Sequence, residues 1–174
     1  MPVDIRQATV ADAQAIAEIH VASWQSAYAG IVPAAHLAGL SVEGRARSWR
    51  DALNTSRVSV ALAHTDSRLA GWIAYGKSRD TDRDATWAEI EAVYLHPSYY
   101  GQGIGTLLMD HACHALDTAG FRHVSLWVLS ANARARKFYE RSGFSADDAP
   151  PKSFTLGGAE LCEIRYERAI DARN

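Results

Sequence analysis

Residues 94–109 read YLHPSYYGQGIGTLLM, and this glycine-dense turn decides the fold. A strand-like run ends at Pro97, and Gly101, Gly103 and Gly105 then precede an apolar, helix-like run. Glycine lets the backbone bend sharply and approach a ligand closely. The helix that follows would present free N–H groups and the positive end of its dipole. The stretch therefore predicts a site for a phosphate or pyrophosphate group.

The spacing of these glycines excludes two common phosphate-binding motifs. A P-loop places a lysine directly after its last glycine, whereas Thr106 and Leu107 follow Gly105 here. A dinucleotide fingerprint reads Gly-x-Gly-x-x-Gly with an acidic residue about 20 positions later, and this turn has neither feature. On the glycines alone, a plain turn between a strand and a helix is the alternative.

A second block, residues 126–144, reads LWVLSANARARKFYERSGF. It predicts a strand, then a helix that begins at Asn132 and ends at Gly143. This block and residues 89–108, in this order and separation, resemble the GNAT superfamily of acetyl-CoA-dependent N-acetyltransferases. The resemblance extends more weakly over residues 5–168.

The resemblance implies a central mixed sheet, mostly antiparallel, that splays between its fourth and fifth strands and holds acetyl-CoA in the gap. It implies an N-acetyltransferase that moves the acetyl group to a primary amine by direct attack in a ternary complex. A small-molecule amine is slightly favoured over a protein amine. A GNAT-like domain that binds CoA as a sensor or scaffold, without turnover, is the alternative. Family members are often dimers, so a homodimer is a further expectation.

Strand-like and helix-like segments alternate irregularly, which indicates an α+β fold with a mixed sheet in one domain, residues 1–174. Strands are predicted at residues 3–8, 58–63, 69–75, 86–95, 123–129 and 161–166. Helices are predicted at residues 13–27, from Pro33, at 42–53, at 104–119 and at 132–142. A turn is predicted at residues 65–67 and a loop at 147–152.

Composition excludes several classes of protein. The net charge is −2 with 22% charged residues and no basic stripe or arm, which argues against a nucleic-acid or membrane partner. The lack of an apolar leader and the presence of only two cysteines predict a cytoplasmic protein in a reducing compartment. His111 and His114 lie on a predicted helix without a further ligand, so no metal site is expected.

The resemblance assigns the pyrophosphate of acetyl-CoA to the glycine turn. The residues expected to bind it through backbone N–H groups follow Gly101 and are Gln102, Gly103, Ile104, Gly105 and Thr106. The family usually has Arg or Gln where this chain has Tyr100, which puts the side-chain phosphate contact in doubt. Either Arg136 or Lys137 compensates, or both belong to a solvated basic face.

The pantetheine arm is expected to pair as an added strand with Val93, Tyr94 and Leu95. The resemblance implies that the Val93 N–H binds the thioester carbonyl and becomes the oxyanion donor. Asn132 matches the family residue that hydrogen-bonds this arm, and a role as helix N-cap is compatible with that contact.

Tyr139 matches the general acid of the family, which protonates the departing thiolate. Because adjacent helix positions point about 100° apart, we expect Phe138 in the core and Tyr139 at the cleft. Glu89 and Glu91 share one face of a strand and are the candidate bases, with Glu89 at the position usual in the family. A solvated strand face is the alternative, in which case a chain of water molecules removes the proton.

Trp24 and Tyr28 are the candidate residues for binding the acceptor amine. They lie one helical turn apart near the N-terminus, and both are large amphipathic side chains. Packing of the same two side chains against the sheet is the alternative.

Overall fold

The computed structural model describes residues 2–66 and 68–170, which form eight strands and five α-helices. In chain order these are β1 (Val3–Gln7), α1 (Ala13–Ala27), α2 (Ala34–Ala38), α3 (Val42–Asn54), β2 (Ser59–Thr65), β3 (Arg68–Lys77), β4 (Trp87–Leu95), α4 (Ile104–Thr118), β5 (His123–Leu129), α5 (Ala133–Arg141), β6 (Ser145–Ala146), β7 (Lys152–Leu156) and β8 (Ala159–Ala169). The predicted elements are all present with small shifts of their ends. Ser67, the last residue of the predicted turn, lies outside the described residues.

The C-terminal part differs from the prediction. The loop predicted at residues 147–152 ends where β7 begins, and β8 extends beyond the predicted strand at both ends. Gly157 and Gly158 join the two strands with φ values of +59° and +87°, and two left-handed residues in succession form a tight hairpin turn. The Gly-Gly pair was the available signal for this hairpin, which was missed because Pro150–Pro151 indicated a loop just upstream.

The strands form one open, mixed sheet, mostly antiparallel. Its order is β1-β2-β3-β4-β5-β8-β6, with β7 also paired to β8, and only β4 and β5 are parallel. The parallel pairing covers just Trp87↔His123, Ala88↔Val124 and Glu89↔Ser125. Beyond Glu89 the two strands separate, while β5 stays paired with β8 as far as Leu129. The α+β fold class and the splay between the fourth and fifth strands are therefore confirmed.

Helices cover both faces of the sheet because alternate residues of each strand point to opposite sides. On one face, α4 buries Leu108 and Ala112 in a core that includes Ile73 of β3. On the other face, Ile16 of α1 packs with Trp72, the neighbour of Ile73 along the chain. The Trp72 indole also donates a hydrogen bond to the Ile16 carbonyl at 3.1 Å, which fixes α1 against the sheet.

A cluster of charges links the loop after β3 to the C-terminal strands, on the far side of the β4–β5 separation. Arg165 of β8 is 5% exposed and contacts Asp80 at 3.2 Å, Asp82 at 2.8 Å and Asp147 at 2.6 Å. Asp80 also accepts hydrogen bonds from the Trp127 indole of β5 at 3.0 Å and from the Lys152 ammonium of β7 at 3.1 Å. Asp80 and Asp82 of the polar loop thus bind residues of the same chain, namely Arg165 and, for Asp80, also Trp127 and Lys152.

Candidate active site

The sheet opens between β4 and β5 into a central cavity of about 510 Å³. The strands line it with residues 90–95 and 127–129, which lie beyond the last pair between β4 and β5. A second part of the lining consists of the glycine turn and α5. A third part, which we call the hairpin wall, consists of Trp24, Tyr28, Leu156, Leu161 and Glu163. This volume is in the range of small-molecule sites.

The glycine turn forms an anion cradle at the start of α4. Gly101 and Gly103 have φ values of +76° and +80°, a backbone conformation that other residues rarely adopt, and Gly103 caps the helix. The N–H groups from Gln102 to Gly105 donate to no other group of the described residues, whereas the Thr106 N–H donates to the Gly103 carbonyl at 3.1 Å. Four N–H groups are therefore free to bind an anion.

Gly105 has a different role from the other two glycines. A Cβ atom placed there would lie 3.3 Å from Cε2 of Phe138 and 3.6 Å from Cδ1 of Leu95. The missing side chain thus lets α5 pack closely against the first turn of α4. This contact brings the α5 side chains next to the anion cradle.

Tyr100, at the head of the turn, makes two contacts across the cavity. Its hydroxyl lies 3.4 Å from Oγ of Ser23, and its ring lies 3.8 Å from Cζ of Arg134. Arg134 lines the cavity and was not predicted. It lies one helical turn before Phe138, so its proximity to the turn follows from helical spacing once the Phe138 contact is known.

Arg136 is not among the residues that line the cavity. Its Nε donates to the Tyr166 hydroxyl at 3.0 Å, and its Nη1 donates to the Ser130 carbonyl at 3.2 Å. Lys137 is exposed on the same helix. Of the basic residues in the first half of α5, Arg134 lies over the Tyr100 ring at the head of the turn, whereas Arg136 and Lys137 do not line the cavity.

Asn132 lines the cavity and caps α5. Its Oδ1 accepts a hydrogen bond from the Ala135 N–H at 3.1 Å. The side-chain amide nitrogen donates to no group within residues 2–66 and 68–170, and the residue is only 9% exposed. The cap thus occupies the oxygen and leaves the amide N–H groups available to a ligand.

Tyr139 and Phe138 both line the cavity and both pack in the main core, so Tyr139 lies at the cleft as expected, whereas Phe138 is not confined to the core. Tyr139 is buried, whereas Phe138 is half-buried because its ring packs over Gly105 next to the glycine turn. Burial, and secondly the neighbouring Tyr94, raise the pKa of Tyr139 above its usual value. Among the described residues its hydroxyl has no hydrogen-bond partner, so it is available to a ligand in the cavity.

The two candidate carboxylates have different environments. Glu89 is 3% exposed and does not line the cavity, and Arg79 donates to it from Nη2 at 2.6 Å, Nε at 3.0 Å and the backbone N–H at 3.1 Å. Glu91 lines the cavity and has only long contacts, 3.4 Å to Arg57 and 3.5 Å to Arg79. The β3–β4 register skips Glu91, as in a β-bulge. Of the two, Glu91 is the one that a ligand in the cavity can reach.

Trp24 and Tyr28 line the cavity and also pack against buried residues of the nearby core, while contact with an acceptor amine stays a prediction. Their rings meet edge to face, with centroids 4.9 Å apart. Glu163 of β8 completes this wall and was not predicted. Burial raises its pKa, Lys152 and Arg79 partly oppose that effect, and Glu89 adds to it. A glutamate in an amphipathic strand gave no signal of its position.

Two negative observations concern the part of the chain that the structure describes. No helix there is long and apolar enough to cross a membrane. No group of three or more His, Cys, Asp and Glu side chains there is arranged to hold a metal ion.

Comparison with known proteins agrees with this geometry. The model of the acetyltransferase (GNAT) family matches residues 15–144. An uncharacterized N-acetyltransferase of Mycobacterium tuberculosis is 30% identical over 84% of this chain and 90% of its own length. The spermidine N(1)-acetyltransferase of Thermoplasma acidophilum is 25% identical over 96% of this chain and 99% of its own length.

Solved structures share the fold. The crystal structure of the PaiA N-acetyltransferase from Thermoplasma acidophilum in complex with coenzyme A has a TM-score of 0.75, with 24% identity over 97% of this chain and 99% of that chain. The structure of yncA from Salmonella typhimurium with acetyl-CoA has a TM-score of 0.73, with 22% identity over 98% and 95%. The chain therefore belongs to the acetyltransferase (GNAT) family and is an acetyl-CoA-dependent acyltransferase.

Proposed function

We propose that the protein is an N-acetyltransferase that moves the acetyl group of acetyl-CoA to a primary amine of a small molecule, by direct attack in a ternary complex. The observation that carries the proposal is the separation of β4 from β5 beyond Glu89, next to four free N–H groups at the start of α4. An unpaired strand edge suits an extended amide chain, and a cradle of N–H groups suits a pyrophosphate. Coenzyme A contains both.

The residues that would hold the cofactor follow from this fit. The N–H groups from Gln102 to Gly105 would bind the pyrophosphate, and Arg134 would add the charge that Tyr100 lacks. Asn132 and the β4 edge at Val93, Tyr94 and Leu95 would bind the pantetheine arm. Acetyl-CoA, when bound, supplies a thioester carbonyl for the amine to attack. We propose the Val93 N–H as the oxyanion donor. Such a donor typically lowers the activation free energy by on the order of 3 kcal/mol.

Two side chains of the cavity are suited to proton transfer. Tyr139 is a protonated phenol at neutral pH, and burial, which raises its pKa further, keeps the proton available for a thiolate. Glu91 is the predicted carboxylate that lines the cavity, and we propose that it takes the amine proton directly or through water. Glu89 stays a candidate by position, but the three hydrogen bonds from Arg79 favour a role in holding the loop after β3.

The relative named as a spermidine acetyltransferase has nearly the same length as this chain, which supports a small-molecule amine as the acceptor. Cys113 and Cys162 are free thiols, which supports action in the reducing cytoplasm. A homodimer, and the lack of a nucleic-acid or membrane partner, stay predictions. A CoA-binding sensor or scaffold without turnover is the second candidate.

Release of CoA thiol from acetyl-CoA over a panel of amines tests the proposal. We expect release that depends on both substrates, together with a mass increase of one acetyl group on the amine. Release that proceeds without any added amine would indicate hydrolysis instead. CoA binding without release for every amine of the panel would support the sensor.

A further inference from the structure

A carboxylate without an ionic partner lies in the hairpin wall. Glu163 is half-buried, and its carboxylate makes no hydrogen bond or salt bridge with any residue in the described ranges. Lys152 faces it across the β7–β8 pairing, but the Lys152 ammonium binds Asp80 at 3.1 Å and lies 3.6 Å from the Trp127 ring centroid. The nearest strand partner of opposite charge is therefore engaged elsewhere. Withdrawing an unpaired carboxylate from water is unfavourable, and a cationic ligand would relieve that cost.

The residues around Glu163 suit an ammonium group. Trp24 and Tyr28 belong to the same wall, and aromatic faces attract cations. The Tyr28 hydroxyl is neutral at ordinary pH, and burial, followed by the neighbouring Tyr94, raises its pKa further. Arg45 lies 5.4 Å from the Trp24 ring but is not part of the cavity lining. The wall thus combines one negative charge with apolar, polarisable surface.

Charge is divided among the elements that line the cavity. Arg134 and Arg141 lie seven residues apart on α5, which is two helical turns, so they share one face. Glu91 and Glu163 are the acidic residues of the lining and lie on β4 and β8. An anionic cofactor and a cationic acceptor are therefore drawn to different elements of the same cavity.

We propose that Glu163 binds a second, non-reacting ammonium group of the acceptor, so that the preferred substrates are diamines or polyamines. This inference rests on the proposed acetyl transfer and names its substrate class. Glu91 serves the nitrogen that is acetylated, and Glu163 serves the nitrogen that keeps its charge. Two carboxylates on different strands then match the two nitrogen atoms of one substrate.

A matched pair of amines tests this assignment. Steady-state kinetics with 1,4-diaminobutane and with 1-aminobutane give kcat/KM for the wild type and for Glu163→Gln. We expect the wild type to prefer the diamine, and the substitution to lower its kcat/KM about tenfold through KM, as one charged hydrogen bond requires. The monoamine should change less than twofold. Glu160→Gln is the control, because Glu160 is exposed on the same strand and outside the lining.

Calorimetric binding of the diamine to the CoA-bound protein separates the two proposals. If diamine binding weakens about tenfold in Glu163→Gln but no amine is acetylated, the role of Glu163 in binding ammonium stands and acetyl transfer is overturned. An equal effect on both amines, no effect on either, or no diamine binding to the wild type would overturn the role of Glu163.

Discussion

The guanidinium of Arg134 lies 3.8 Å from the centroid of the Tyr100 ring, within the range of a cation–π contact. Tyr100 occupies the position where the family usually has a charged or amide side chain. It provides an aromatic platform for a charge from α5, and its hydroxyl lies close to Ser23 of α1. Arg134 of α5 thus places a positive charge beside the head of the turn, where Tyr100 itself has none.

Removal of this charge should weaken cofactor binding. We expect Arg134→Ala to raise the KM for acetyl-CoA about tenfold with little change in kcat, because one charged hydrogen bond to phosphate is lost. Tyr100→Leu should have a similar effect through loss of the platform, and Tyr100→Phe should not. Steady-state kinetics check this, with Lys137→Ala as the exposed control on the same helix. A normal KM in Arg134→Ala would contradict the assignment.

Loss of the Tyr139 hydroxyl should affect chemistry and not affinity. We expect Tyr139→Phe to lower kcat by about 100-fold, the lower range for a general acid, while CoA binding changes less than twofold. Stopped assays of thiol release and calorimetry with CoA measure the two quantities. Tyr99→Phe serves as the control because Tyr99 is not part of the cavity lining. Wild-type turnover in Tyr139→Phe would remove the residue from the mechanism.

The two glutamates of β4 should separate function from stability. Glu91→Gln should lower kcat and change the acidic limb of the pH–rate profile, with little effect on unfolding. Glu89→Gln should lower the free energy of unfolding by about 2 kcal/mol, since the buried group loses charged hydrogen bonds from Arg79. Urea titration and pH–rate measurements on both variants check this. If the pH–rate profile is unshifted in Glu91→Gln but shifted in Glu89→Gln, then Glu89 and not Glu91 is the base.

His20 should make the protein less stable in mild acid. Its Nδ1 accepts a hydrogen bond from the Trp49 indole at 3.3 Å, and the rings of Trp24, Trp72 and Tyr94 surround it. Burial first, and the charge of Arg45 second, lower the pKa of His20 to about 3. Below the usual value near 6.5 only the unfolded chain takes up the proton, so stability is full above that pH and falls as the pH drops towards 3.

The expected loss is about 1.4 kcal/mol per pH unit between these values. Urea titrations at pH 7.5 and pH 5 measure it, and His20→Phe should lose about 2 kcal/mol less between the two conditions than the wild type. His114→Gln, at an exposed position, should behave as the wild type. The same pH dependence in His20→Phe would assign the acid sensitivity to other groups.

The fold was predictable because its decisive signals are local. Alternating apolar residues marked the strands, and Gly101, Gly103 and Asn132 marked helix starts whose geometry depends on residues close by in sequence. The β7–β8 hairpin was not predicted because the proline pair upstream indicated a loop, although the Gly-Gly pair indicated a turn. Local chemistry thus predicted which elements form, and its errors lie where two local signals conflict.

The site was only partly predictable because several of its residues meet through tertiary packing. Arg134 lies over Tyr100 because Phe138 of the same helix packs on Gly105, and Glu163 lines the cavity because β8 extends along it. Neither residue was among the candidate site residues, although Arg134 lies within the second block. Tyr139 and Phe138 show the same limit, since helical spacing separates their directions but does not tell which side the neighbouring helix covers.

The charge cluster around Arg165 has a consequence for how this enzyme can change. The β4 and β5 halves of the sheet share three residue pairs, and Asp80 contacts β5, β7 and β8 by side chains alone. The β4 edge with its glycine turn and the β7–β8 hairpin are therefore joined through few backbone hydrogen bonds across the sheet. On our proposal for Glu163, substitutions in β7 and β8 should alter acceptor choice and leave the glycine turn unchanged. The hairpin is the natural starting point for engineering this scaffold towards other amines.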